Sequence, residues 1–152
     1  GGALYGISFG LPEGAALRFA LRLRSEIIAL RDLEEGETVG YDRTFRCTRP
    51  TRVATVPMGY GDGLLRELSN RGSMLVHATR CPILGRVSMD LTMIDVTDVP
   101  GVALGDEVVI LGEQKHAERH ACITADEVAK TAGTIAYDVM TSISRRVPRS
   151  YG

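Results

Sequence analysis

Tryptophan is absent from this chain of 152 residues, and lysine occurs only at Lys115 and Lys130. No apolar run approaches the about 20 residues that a membrane-spanning helix requires. A charged leader followed by an apolar stretch is missing as well, so the chain reads as soluble and cytoplasmic. Cys47, Cys81 and Cys122 form an odd set without a CxxC pair, which indicates neither a disulfide framework nor a compact zinc site; ordinary reduced thiols are expected. Excess charge is lacking too. With 18 Lys+Arg against 19 Asp+Glu the formal charge is −1, which gives no overall drive towards nucleic acid or an anionic membrane. A Walker loop and a GxGxxG turn are both missing, removing the common signals for nucleotide binding.

What the chain does contain is a globular balance, 44% hydrophobic and 24% charged residues, enough to bury a real core. Its length suits one domain, or one domain and the end of another. The first fourteen residues, GGALYGISFGLPEG, hold five glycines and a proline, a loop or linker composition. Opening on Gly1-Gly2 in place of Met points to processing or to a piece of a longer protein.

From Leu17 to Arg24 apolar residues alternate with arginines, the pattern of a half-buried strand that Ile27–Leu30 continues. Past the acidic turn Glu34–Glu37, Val39–Cys47 is expected to return as another strand. Val53–Met58, Met74–His77, Pro82–Val87, Leu91–Val96 and Glu107–Leu111 read as further short strands bounded by Gly, Pro, Asn or Asp. Thr124 is suited to cap a helix with Glu127 as reciprocal partner and Gly133 to end it. A second short helix is expected over Ile135–Met140 and a closing strand over Ser142–Val147. The fold class is therefore mostly β, a small antiparallel barrel-like domain with one or two short C-terminal helices.

Chemistry-bearing residues are few. Lys115 is expected in a polar loop, EQKHAER, and Lys130 on the predicted helix, so neither has the apolar setting that activates an amine. His116 and His120 are four apart but lack the HExxH arrangement, and no metal site is expected. Tyrosines beside glycines recur at Tyr5, Tyr41 and Tyr60, with Tyr137 in TIAYDV. A tyrosine in such a loop often only plugs a sheet edge, a reading that weakens as the pattern repeats.

Taken together and in order, LYG at Leu4–Gly6, VGYDRT at Val39–Thr44, PMGYGDG at Pro57–Gly63, GRVSMD at Gly85–Asp90, TIAYDVMTSIS at Thr134–Ser144 and RRVPR at Arg145–Arg149 resemble the C-terminal part of the alanine racemases. In that family a pyridoxal phosphate-binding (β/α)8 barrel precedes a mostly β domain, and two subunits pack head-to-tail. The resemblance implies that residues 1–14 are the last barrel loop and linker and that 15–152 are the C-terminal β domain. It also implies a function: interconversion of L- and D-alanine through a pyridoxal phosphate imine.

Site roles follow from the same resemblance. Tyr41 matches the tyrosine that exchanges the α-proton on one face of the substrate, acting in trans at the dimer interface. Met89 matches the residue whose backbone N–H meets the substrate carboxylate. Tyr60 resembles the gate tyrosine of the access corridor, with Arg66, Arg86 and Asp90 near it. Tyr137, with the backbone of Gly1 and Gly2, matches the donors to the cofactor phosphate. The family's imine-forming lysine would lie upstream in the barrel, so this chain alone is expected to be inactive and to hold no cofactor.

Racemisation needs acid/base groups on opposite faces of a stabilised carbanion, and a phenol serves as base only where cations or hydrogen bonds favour its anion. Asp42 stands next to Tyr41 where the family often has glycine, and it is expected to point away from the phenol. Gly2 stands where isoleucine is common. Two other readings compete: a non-catalytic β module for dimerisation or partner binding, and a domain of a related decarboxylase. The decarboxylases characteristically use a cysteine in the stretch equivalent to GRVSMD, where this chain has Ser88 and Met89. Arg145, Arg146 and Arg149 read as a solvated or ion-paired face of the closing strand.

Overall fold

The structure, a computed structural model, describes residues 20–151. Ten strands and two helices follow one another: β1 Leu23–Glu26, β2 Ala29–Leu33, β3 Thr38–Val39, β4 Phe45–Arg46, β5 Thr51–Val56, β6 Ser73–Val76, β7 Thr79–Leu84, β8 Thr92–Asp95, β9 Glu107–His116, β10 Arg119–Ile123, α1 Ala125–Ala132 and α2 Ala136–Ser142. Every strand pairing is antiparallel. The main sheet runs β1-β9-β6-β7-β8-β5-β2, with β10 also paired to β9; β3 and β4 form a separate ribbon.

β1 and β2 stand at opposite ends of that order although only Ile27 and Ile28 separate them in the chain. The Ile27 N–H bonds to the Asp106 carbonyl beside β9, and the Ile28 N–H to Thr55 in β5, each at 3.0 Å. Two residues thus link both ends of the sheet, which must curl into a barrel-like form that is not fully closed. Ile27 is buried at the join, with Val56, Met74, Leu75, Ile94, Val108 and Val109 filling the interior. Strict alternation fails along Val108–Leu111, all four buried, because α1 and α2 join the same core through Ala125, Ala129, Ala136 and Val139. Thr124 caps α1 by accepting the Glu127 N–H at 3.1 Å, and Gly133 ends it in the left-handed conformation.

Three sequence expectations need correction. Val39–Cys47 is not one strand: Gly40, Asp42 and Arg43 all take positive φ, and a 3-10 turn at Tyr41–Arg43 separates β3 from β4. A strand cannot carry successive left-handed residues and keep its ladder. The polar stretch around Lys115 is not a loop. β9 runs on to His116 and returns as β10 through a tight turn with Ala117 at positive φ; its side chains are polar because this edge hairpin faces water. Ser142–Val147 is not a strand either, for α2 runs to Ser142 and the following turn is held by Arg149, which donates to the carbonyls of Ile143, Ser144 and Val147. Of the strand expected over Leu17–Arg24, Leu23 and Arg24 open β1, and residues 17–19 lie outside the described residues.

Candidate functional site

A second, smaller core of Leu33, Val39, Cys47, Val53 and Leu84 underlies the β3–β4 ribbon. It anchors the ribbon, so the 3-10 turn at its tip presents Tyr41 outward, 71% exposed. The turn sits close against the segment after β7. A Cβ on Gly85 would lie 2.7 Å from the Val39 carbonyl, and one on Gly40 3.1 Å from the Arg86 nitrogen. Glycine at both places lets the two backbones touch, which sets Tyr41 beside Arg86.

The loop after β5 approaches the same segment from the other side. Tyr60 N–H donates to the Ser88 carbonyl and Gly61 N–H to the Met89 carbonyl, each at 2.9 Å. A side chain on Gly59 would overlap both of these carbonyls, so the spacing in PMGYGDG reflects backbone contact as much as chain flexibility. Asp62 closes the loop by accepting the Gly59 N–H at 2.8 Å.

Between these loops lies an open depression of about 500 Å³ lined by Tyr41, Tyr60, Arg66, Arg86, Val87, Ser88 and Met89. Two guanidinium groups make its wall basic. Arg86 Nε is 3.0 Å from Asp42 Oδ2, an ion-pair distance, yet this buried N–H has no hydrogen-bond acceptor among the described residues. The Tyr41 and Tyr60 hydroxyls and the Met89 N–H likewise make no hydrogen bond among the described residues. Two exposed phenols and an exposed methionine thus border one cavity.

The chain matches the family model "Alanine racemase, C-terminal domain" over residues 20–151. It belongs to the family of alanine racemase C-terminal domains. It is similar to the alanine racemase of Sorangium cellulosum (strain So ce56), 56% identical over 99% of this chain and 40% of that relative's length. Among solved structures it resembles alanine racemase from E. faecalis, with a TM-score of 0.87, 38% identity, and coverage of 100% of this chain and 40% of that one. It also resembles alanine racemase from Bartonella henselae with covalently bound pyridoxal phosphate, with a TM-score of 0.88, 31% identity, and coverage of 99% and 40%. The chain thus spans about 40% of the length of these racemases.

Of the residues that the alanine racemase resemblance singled out, the structure gathers Tyr41, Tyr60, Arg66, Arg86 and Met89 around the depression. Met89 is 52% exposed, so it is not the core filler that a methionine in a β domain commonly is. Asp90 follows Met89 and faces Arg146 at 2.8 Å. Tyr137 lies on α2 and does not line the depression; it is 49% exposed, and its hydroxyl has no partner among the described residues. Gly1 and Gly2 lie outside the described residues. Sequence reading missed Asp62; it placed Arg146 on a solvated or ion-paired face, and that side chain is ion-paired, to Asp62 and Asp90. The only signal was an acidic residue in each of two loop motifs and an arginine in a third.

Among the described residues no group of three or more His, Cys, Asp or Glu is arranged to hold a metal ion. His116 instead stacks on His77, ring centres 4.0 Å apart, and His77 pairs with Asp106 at 2.9 Å. No helix among them is long and apolar enough to cross a membrane.

The thiols sit apart from the depression. Burial pushes Cys81 up to about 12, and burial also raises Cys122, so neither offers a thiolate at neutral pH.

Proposed function

We propose that this chain is the C-terminal domain of an enzyme that interconverts L- and D-alanine, with residues 1–14 joining it to a barrel domain upstream. The observation that carries the reading is the convergence of two exposed phenols, two guanidinium groups and Met89 on one depression, the Met89 N–H having no acceptor among the described residues.

The donor set suits the phosphate end of pyridoxal phosphate. The hydroxyl of Tyr137, without a partner among the described residues, is a neutral donor of the kind a phosphate accepts, and the backbone of Gly1 and Gly2 would add to it. Neither Lys115 in β9 nor Lys130 in α1 lines the depression, so the imine-forming lysine is assigned to the barrel. The chemistry that pyridoxal phosphate supplies when bound is delocalisation of the electron pair left as the α-proton departs.

The chain's own residues handle the proton and the substrate. Tyr41 Oη takes or returns the α-proton on one face, reaching a site completed by a second copy of the enzyme in a head-to-tail homodimer. Its 71% exposure supports this reading, because a phenol that served only its own domain would be packed. Met89 N–H receives the substrate carboxylate. Tyr60 narrows the way in as a gate. Arg66 and Arg86 draw a carboxylate-bearing substrate along the corridor, while Asp42 offsets part of the Arg86 charge and Asp90 is held by Arg146.

Activity is tested by mixing this chain with its matching barrel domain and following L- to D-alanine conversion. Racemisation in the mixture and none with this chain alone is expected. Two folded, associated parts that remain inert would contradict the proposal.

A further inference from the structure

Arg146 lies beyond α2, yet its guanidinium reaches the two loops that bear Tyr60 and Met89. Its Nε donates to Asp62 Oδ1 at 2.7 Å, and Nη2 donates both to Asp90 Oδ1 at 2.8 Å and to the Met89 carbonyl at 3.2 Å. A Cβ on Gly61 would come within 2.5 Å of Nη2, so the loop is shaped to admit this group. The neighbouring backbone reinforces the junction: Ser144 N–H donates to the Asp62 carbonyl at 3.0 Å, and Ser142 Oγ donates to the Gly63 carbonyl at 2.8 Å.

The consequence falls on Met89. A trans peptide carries its C=O and N–H in opposite directions. Fixing the Ser88 carbonyl on Tyr60 N–H therefore aims the Met89 N–H the other way, where it meets no acceptor among the described residues. The next peptide is fixed by Gly61 N–H and Arg146, which both donate to the Met89 carbonyl. Without the guanidinium, Asp62 and Asp90 would face each other as like charges across the junction and push the loops apart.

We infer that Arg146 is a positioning residue for substrate carboxylate binding, acting through Asp62, Asp90 and the Met89 carbonyl to hold the Met89 N–H in line. The inference rests on the proposed role of Met89. It adds a residue that touches neither substrate nor cofactor.

The test uses the full-length enzyme that contains this chain. Its probes are L-alanine turnover and inhibition by propionate, which keeps the carboxylate and methyl of alanine but lacks the amine. Arg146→Gln is expected to raise both KM for L-alanine and the propionate inhibition constant about tenfold, with kcat within about threefold. Arg146→Lys should fall between, since a compact ammonium cannot serve two carboxylates and a carbonyl in a fixed fork. Arg149→Gln is the structural control, because among the described residues Arg149 bonds only the carbonyls of its own turn. It should lower thermal stability and leave KM unchanged. If Arg146→Gln does not fold, Asp90→Asn removes one partner and should raise KM about threefold.

Arg146→Gln, or Asp90→Asn in its place, with KM and propionate affinity equal to the parent overturns the inference. If propionate fails to compete with L-alanine in the parent enzyme itself, the carboxylate site is wrongly placed, and the proposed role of Met89 falls together with the inference.

Discussion

The Asp42 carboxylate lies 3.0 Å from the Arg86 guanidinium, so the negative charge next to Tyr41 in the chain turns to a cation in the wall of the depression. It makes no hydrogen bond to the Tyr41 hydroxyl. Asp42 has φ 59° and ψ 11°, a left-handed conformation that aspartate tolerates better than most residues. The pair is largely exposed, which keeps its contribution to stability small.

Asp42→Gly is therefore expected to leave unfolding free energy within about 0.5 kcal/mol of the parent, since the lost ion pair is offset by relief of the backbone. Asp42→Val should cost about 1–2 kcal/mol, because a β-branched residue resists positive φ. Urea denaturation of both variants separates the backbone effect from the charge effect. Equal stability of the two would contradict the observed turn.

Gly59→Ala places a methyl against the Ser88 and Met89 carbonyls. Those atoms belong to the backbone and cannot swing aside. A loss of at least about 2 kcal/mol is expected, measured by thermal or denaturant unfolding. A variant as stable as the parent would mean that the two loops do not touch.

Burial raises Cys81 to about 12 from an ordinary value of 9.0. A group whose folded value exceeds its unfolded value supplies stability that is complete below the unfolded value and is lost as pH rises through the folded one. The window is therefore alkaline, from about 9 to about 12. Within it Cys81 should remove about 1.4 kcal/mol of stability per pH unit, and Cys81→Ala should flatten that part of the profile. Denaturation midpoints at pH 8 and pH 10 for parent and variant check the difference.

Thr124 Oγ1 accepts the first-turn N–H of Glu127. Thr124→Ala should cost about 1 kcal/mol and Thr124→Ser almost nothing, read from the same denaturation curves.

Most of the sheet was legible because β5, β7 and β8 are short apolar runs and turn residues bound each strand. α1 was legible from its cap and its terminal glycine. The Tyr41 turn was not, since it depends on Gly40 and Gly85 meeting across the fold, a contact 45 residues apart that leaves no periodic trace. β10 was hidden because an edge hairpin with both faces partly wet has no apolar alternation. The β-branched and apolar residues of Ser142–Val147 suggested a strand, but the hydrogen bonds to Asp62, Gly63 and Arg149 decide for a turn. Candidate site residues were found through motif order, which located Tyr41, Tyr60 and Met89 but carried no information on how Arg146 joins their loops across 84 residues.

The central claim is that Tyr41 moves a proton on one face of the substrate. Its most direct test is α-hydrogen exchange in D2O with the full-length enzyme, comparing parent and Tyr41→Phe for each alanine enantiomer. With the phenol removed, racemisation should fall by at least about 100-fold, exchange should vanish for one enantiomer, and it should persist for the other, which depends on the second base. Racemisation within tenfold of the parent, or equal loss of exchange from both enantiomers in a folded variant, would contradict the assignment.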